Sequence, residues 1–160
     1  MPHHHPPRAL WGRAFQAVDA PRLHGLADRL ATVFAAQPTT PPRAGLALLR
    51  LGESVQGDTF HVGELPVAQA TVRLTTPDGL AVEGGAIAMA DQPATAIALA
   101  VLDGVLAHDL PGSHEAAALL AEGMAALGET QRRRATMLER TRVDFTAMTE
   151  APGDADAGHS

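Results

Sequence analysis

Nine residues, Val67 to Thr75 ("VAQATVRLT"), alternate without interruption, with Ala68, Ala70, Val72 and Leu74 on one side and Gln69, Thr71, Arg73 and Thr75 on the other. A period of two fits a β-strand with one covered face and one face that is wet or meets a partner. "TPDG" follows, where Pro77 presets the first turn dihedral and Gly79 is free to take a positive one, and "LAVEGGAIAMA" then reads as the returning strand. The centre of the chain is therefore an antiparallel hairpin. With "AGLALLRLGE" (44–53) as a first strand and a short extended piece at "DTFHVG" (58–63), the pattern predicts an antiparallel meander of three to four strands.

Beyond Asp91-Gln92-Pro93 the period changes to that of a helix. Residues 94–108 hold a single charged side chain, Asp103, so this helix is apolar nearly all round and has to be covered on more than one side. Upstream, residues 8–17 and 21–35 are helical in pattern, with Leu23, Leu26, Leu30, Val33 and Phe34 at three- and four-residue spacing. Asp19 is placed to cap the second of these helices and Pro21 sits in its first turn. "QPTTPPR" (37–43) breaks the pattern before the first strand. "DLPGS" ends the apolar helix; Ser113 is placed to cap a last one, and Glu115 complements its N-terminal dipole. That helix reaches about Arg134 or beyond, although Gly123 and Gly128 each weaken it by roughly 1 kcal/mol relative to Ala. Strands in the middle with helices before and after give an α+β fold class, not a parallel βαβ sheet. A length of 160 residues suits one domain. The expected organisation is a flexible N-terminal segment (1–9), a single α+β domain (10–148) and a disordered acidic tail (149–160).

Missing residue types exclude more chemistry than the present ones suggest. The chain has no Cys, and no Lys or Tyr occurs in it. A thiol nucleophile, a disulfide, a zinc-thiolate site and a thiolate-bound iron-sulfur cluster are all excluded. So are a Schiff-base lysine and the lysine of a phosphate loop. All 12 basic residues are Arg, which suits bidentate recognition of carboxylate or phosphate but also follows from a bias toward Ala, Gly, Pro and Arg. The net charge of −6 argues against a surface built for nucleic acid. No apolar stretch approaches the roughly 20 residues of a membrane span, and the N-terminus lacks the pattern of a secretory signal, so a cytoplasmic protein is expected.

No phosphate loop, HExxH or nucleophile elbow is present. His3, His4 and His5 lie between prolines and offer no fixed metal geometry, and His24, His61, His108 and His114 are scattered over different elements. No catalytic and no metal-ligating residue is therefore assigned. Asp103, alone on its apolar helix, reads as one half of a structural ion pair, for instance with Arg73 on the wet face of the strand. Arg132, Arg133, Arg134, Arg140 and Arg142 read as a solvated or partner-facing helix end, because the aromatics that stack single-stranded nucleic acid are few. If the helix continues, Met137, Thr141, Phe145 and Met148 form one stripe suited to docking.

Taken in order, Gly63-Glu64, Val72-Arg73-Leu74, Asp103 and the terminal Arg142-Val143-Asp144-Phe145 with Met148 give the chain a resemblance to the PhnG family, the G component of bacterial carbon-phosphorus lyase. It spans roughly residues 10–148. Where that family tends to show Gly-Arg-Asp, this chain has Ala90-Asp91-Gln92. The resemblance implies a non-redox subunit of a multiprotein enzyme of organophosphonate catabolism, whose core is formed by the G, H, I and J subunits. The G, H, I and L subunits support the step in which a phosphonate displaces adenine from ATP to give ribose 1-phosphonate 5-triphosphate. The I subunit is the chemically competent partner in that scheme, and the iron-sulfur cluster belongs to the J subunit. The resemblance also implies no cofactor in this chain, a hetero-oligomer with the I, J and H subunits, no nucleic acid and no membrane. Arg142, Val143, Asp144, Phe145, Met148, Arg73 and Asp103 become docking or structural residues, with helix 94–108 and segment 137–148 as the docking elements. The alternative from a different class is a small nucleotide- or phosphonate-binding enzyme acting alone through its arginines.

Overall fold

The computed structural model describes residues 5–52 and 57–141 of the chain. The chain divides into two compact units, Met1–Leu127 and Gly128–Ser160. In the first, a 3-10 turn (Arg8–Leu10) leads into a short helix α1 (Trp11–Phe15) and then α2 (Ala20–Val33). The Asp19 side chain caps α2 by accepting from the Arg22 N–H at 3.4 Å, and Leu23, Leu26, Ala27 and Leu30 make its buried stripe, as the spacing requires.

The strands are β1 (Gln37–Pro38), β2 (Arg43–Gly52), β3 (Thr59–Thr75) and β4 (Ala81–Ala88), all antiparallel and all paired to β3. The fold is α+β with a four-stranded sheet, and its consecutive strands β2, β3 and β4 form the expected meander. The expected pieces at 58–63 and 67–75 are one strand of 17 residues. Glu64, Leu65 and Pro66 bridge them, and a register shift between Leu49 and Arg50 leaves Val62 as the extra residue on β3. β1 lies inside the proline-rich breaker; the proline there sits in an edge strand, where its missing donor costs no ladder bond. The turn between β3 and β4 follows its sequence, with Gly79 at φ 89° and its N–H donating to Thr76 O at 2.9 Å.

The even-numbered residues of β3, Ala68 to Leu74, are buried with Val82 and Ala88 of β4, and α3 (Pro93–Ala107) lies on that face. Leu99, Val101, Leu102 and Val105 of α3 are at most 1% exposed. Full burial of each such side chain contributes roughly 1.5–3 kcal/mol. Helix and strand meet backbone to backbone, since a Cβ on Gly84 would lie 2.1 Å from Ala100 O and 2.6 Å from Gly104 N. The apolar helix expected as a docking element is thus enclosed by its own sheet, α1 and α2, because it is apolar enough to face all three. α4 (Ser113–Thr141) starts at Ser113, but the Ser113 hydroxyl donates to Asp109 Oδ1 at 2.8 Å and does not cap the helix; the Gly112 carbonyl accepts from Ala116 N–H at its start.

In the second unit, residues 128–141 complete α4. Residues 130–140 are exposed, Met137 and Leu138 among them.

Candidate functional site

Two features of the first unit stand out chemically, an anchored carboxylate and an uncovered apolar ribbon. Asp103 projects from the middle of α3, where the helix crosses β4, and is 6% exposed. Its partner is Arg8, not Arg73. Arg8 Nε donates to Oδ1 at 2.8 Å and Nη2 to Oδ2 at 2.6 Å, while the Gly85 N–H donates to Oδ2 at 2.9 Å. The hydrogen bond to Asp103 raises the Arg8 pKa further above its ordinary value, against the opposing effect of burial. Arg73 is excluded by geometry. Odd-numbered residues of β3 point away from α3, and Arg73 reaches instead across the open face to Glu83, directly opposite on β4, at 3.4 Å.

Arg8, inside the segment expected to be flexible, is therefore held in a turn. Its guanidinium stands 6.0 Å from the Trp11 ring, and the Trp11 indole donates to Pro6 O at 2.8 Å. Beside the cluster opens a cavity of about 680 Å³ walled mainly by apolar atoms, with Arg13 and Gln16 as further polar residues. Three donors already occupy the carboxylate, one on Oδ1 and two on Oδ2, which makes Asp103 a fastener of the N-terminal segment to α3 and β4.

The histidines do not converge. His24 lies 3.5 Å from Thr95 Oγ1, His108 lies 3.3 Å from Glu83 O, and His61 sits on the exposed part of β3. Among the described residues no group of three or more His, Asp or Glu side chains could hold a metal ion. No buried side-chain nitrogen or oxygen among them lacks a hydrogen-bond partner. In the second unit, Glu129 pairs with Arg132 at 2.9 Å and with Arg133 at 3.0 Å, and the bonds to Arg132 and then Arg133 hold its carboxyl below the ordinary glutamate value. Two of the basic helix end's arginines are thus partly neutralised within their own helix. Arg142, Val143, Asp144, Phe145 and Met148 lie outside the described residues, as do Glu53–Gln56. Ala90-Asp91-Gln92 forms the connection from β4 to α3, and the residue at its centre, Asp91, is exposed.

Sequence reasoning missed the ribbon. β4 stops at Ala88, opposite Ala68, so among the described strands residues 59–67 of β3 pair with β2 alone, and every residue of β2 is exposed. Leu46, Leu48, Leu49, Leu51, Phe60 and Val62 are 40–66% exposed, on both faces of a two-stranded arm. A ribbon of two strands with no cover is marginal by itself in water, and contiguous exposed apolar side chains mark interaction surfaces. In the sequence, regular alternation of polar and apolar residues begins only at Val67, so 44–65 prescribes no wet face and does not say what covers its apolar side chains.

Compared with known families, residues 6–150 match the model of a family described as phosphonate metabolism protein PhnG. No curated protein matches the chain.

Proposed function

The chain belongs to the PhnG family of phosphonate metabolism proteins, and from that premise we propose that it is a non-redox accessory subunit of the carbon-phosphorus lyase core complex. Its part is to support formation of ribose 1-phosphonate 5-triphosphate, the step in which a phosphonate oxygen takes the anomeric carbon of ATP and adenine leaves. Its partners in this reading are the I, J and H subunits, and its compartment is the cytoplasm. One observation carries the accessory role: large apolar side chains stand uncovered on the β2–β3 arm, while the most buried carboxylate is already spent on Arg8 and the Gly85 amide. A displacement at an anomeric carbon needs a group to protonate the departing base and donors to orient the phosphonate. The described residues offer exposed docking surface in place of such a constellation. The absence of Cys agrees, since thiolate ligation of an iron-sulfur cluster must then belong to a partner.

The test is co-expression with the I, J and H subunits followed by capture on a tagged PhnI, the I component, together with calorimetry of the isolated chain. Recovery of this chain in the captured complex, and no heat with ATP or methylphosphonate, are the expected results. A chain that stays out of the complex but binds either ligand alone overturns the accessory role in favour of a small enzyme working through an arginine site.

A further inference from the structure

The two edges of the β2–β3 arm are not equivalent, and the difference fixes how a partner can use it. Backbone groups of successive strand residues point to alternate sides. Thr71 O accepts from Thr39 N–H at 2.9 Å and Thr75 N–H donates to Phe34 O at 2.7 Å, so odd residues of β3 direct their backbone toward the side occupied by β1 and β2. By register, Arg43, Gly45, Ala47 and Leu49 of β2 face them. Ala44, Leu46 and Leu48 therefore aim their N–H and C=O groups outward, where none of the described strands pairs with β2. On the opposite edge, the outward position nearest the end of β4 is Pro66, which has no N–H to offer.

Proline interrupts one edge of the arm, and among the described residues no proline and no strand blocks the other. Sheet proteins protect long edges with lysines, prolines or short strands, and the outer edge of β2 has none of these over its 10 residues. Its two charged side chains are Arg43 and Arg50, placed opposite Gln69 and His61, and neither has a carboxylate partner among the described residues.

We propose that the outer edge of β2, residues 43–52, is a strand-addition site that takes an extended, apolar segment of a partner protein carrying carboxylates for Arg43 and Arg50. The backbone of the added strand satisfies Ala44, Leu46 and Leu48, and its side chains continue the leucine rows on both faces of the ribbon. This rests on the reading of the chain as a component of a complex and names the element and the mode by which it joins.

The test uses the full chain co-expressed with the I, J and H subunits. In the variant Leu46→Pro/Leu48→Pro the outward donors are lost while the β2–β3 ladder keeps all of its own. Its recovery in the complex falls about tenfold or more, with unchanged circular dichroism of the isolated chain. Should the prolines unfold the arm, Arg43→Glu/Arg50→Glu tests the same edge without touching the backbone, and the same loss is expected. In the wild-type complex, amide exchange at Ala44, Leu46 and Leu48 slows about tenfold or more relative to the free chain, while Gly45 and Ala47, already in the ladder, change little. Full recovery of both variants, or unchanged exchange at the outward amides, overturns the strand-addition site while leaving membership of the complex intact. A wild-type chain that never enters the complex overturns both. Sedimentation showing a dimer of the chain alone that the prolines abolish overturns the proposal in favour of a second copy as occupant.

Discussion

At the scale of single residues, the first unit is organised around the contact of Arg8 with Asp103. A carboxylate on a helix that is otherwise apolar is costly to bury unless paired, and here it accepts from a guanidinium and from a strand amide. The Arg8 side chain remains 57% exposed, so solvent screens much of the attraction and the pair is weaker than a fully enclosed one. Asp103→Asn should therefore cost about 1–2 kcal/mol in urea unfolding, because the amide keeps one acceptor but loses the charge and one of the bonds. Arg73→Gln should stay within about 0.5 kcal/mol, its partner Glu83 being exposed and on the open face. Equal losses for the two variants would contradict the assignment of Arg8 as the partner of Asp103.

At the scale of elements, α4 separates two glycines that look alike in the sequence. A Cβ at Gly123 would lie 2.0 Å from Ala14 O, backbone that cannot swing aside, whereas at Gly128 the nearest atom is the mobile end of Arg132 at 3.9 Å. Gly123 is there so that α4 can approach α1, and its intrinsic helix penalty is offset by that contact. Gly123→Ala should destabilise the chain by about 2 kcal/mol or more, as inserted atoms in a tight contact do. Gly128→Ala should stabilise it by up to about 1 kcal/mol through helix propensity. Thermal unfolding of the two variants side by side checks both signs.

For the whole molecule, the exposed arm implies a stability that depends on company. A partner that binds only the folded chain, present at about a hundred times its dissociation constant, adds about 2.7 kcal/mol. For a chain of this size that corresponds to a rise of roughly 5–10 °C in the unfolding midpoint. Scanning calorimetry of the chain alone and in the co-expressed complex should show such a rise, and identical midpoints would mean that the arm is not covered on assembly.

Much of the fold is set by local rules that act over a few residues. The alternation from Val67 to Thr75 requires one covered face, Pro77 and Gly79 require a turn, and the run from Ala94 to Leu106 requires a helix enclosed on several sides; all three stand in the structure as the residue types demand. Membership of the PhnG family was legible as well, through the ordered combination of residues along the chain. Three matters were decided only by tertiary structure. Asp103 found Arg8, because which arginine reaches a carboxylate depends on how the chain returns across 95 residues and on which face of the sheet each side chain occupies. The leucines of β2 stayed outside, because burial depends on where β4 ends, and no pattern within 43–52 encodes the length of a neighbouring strand. The apolar helix became core and not interface for the same reason: hydrophobicity specifies that a surface must be covered, and only the assembled chain specifies by what.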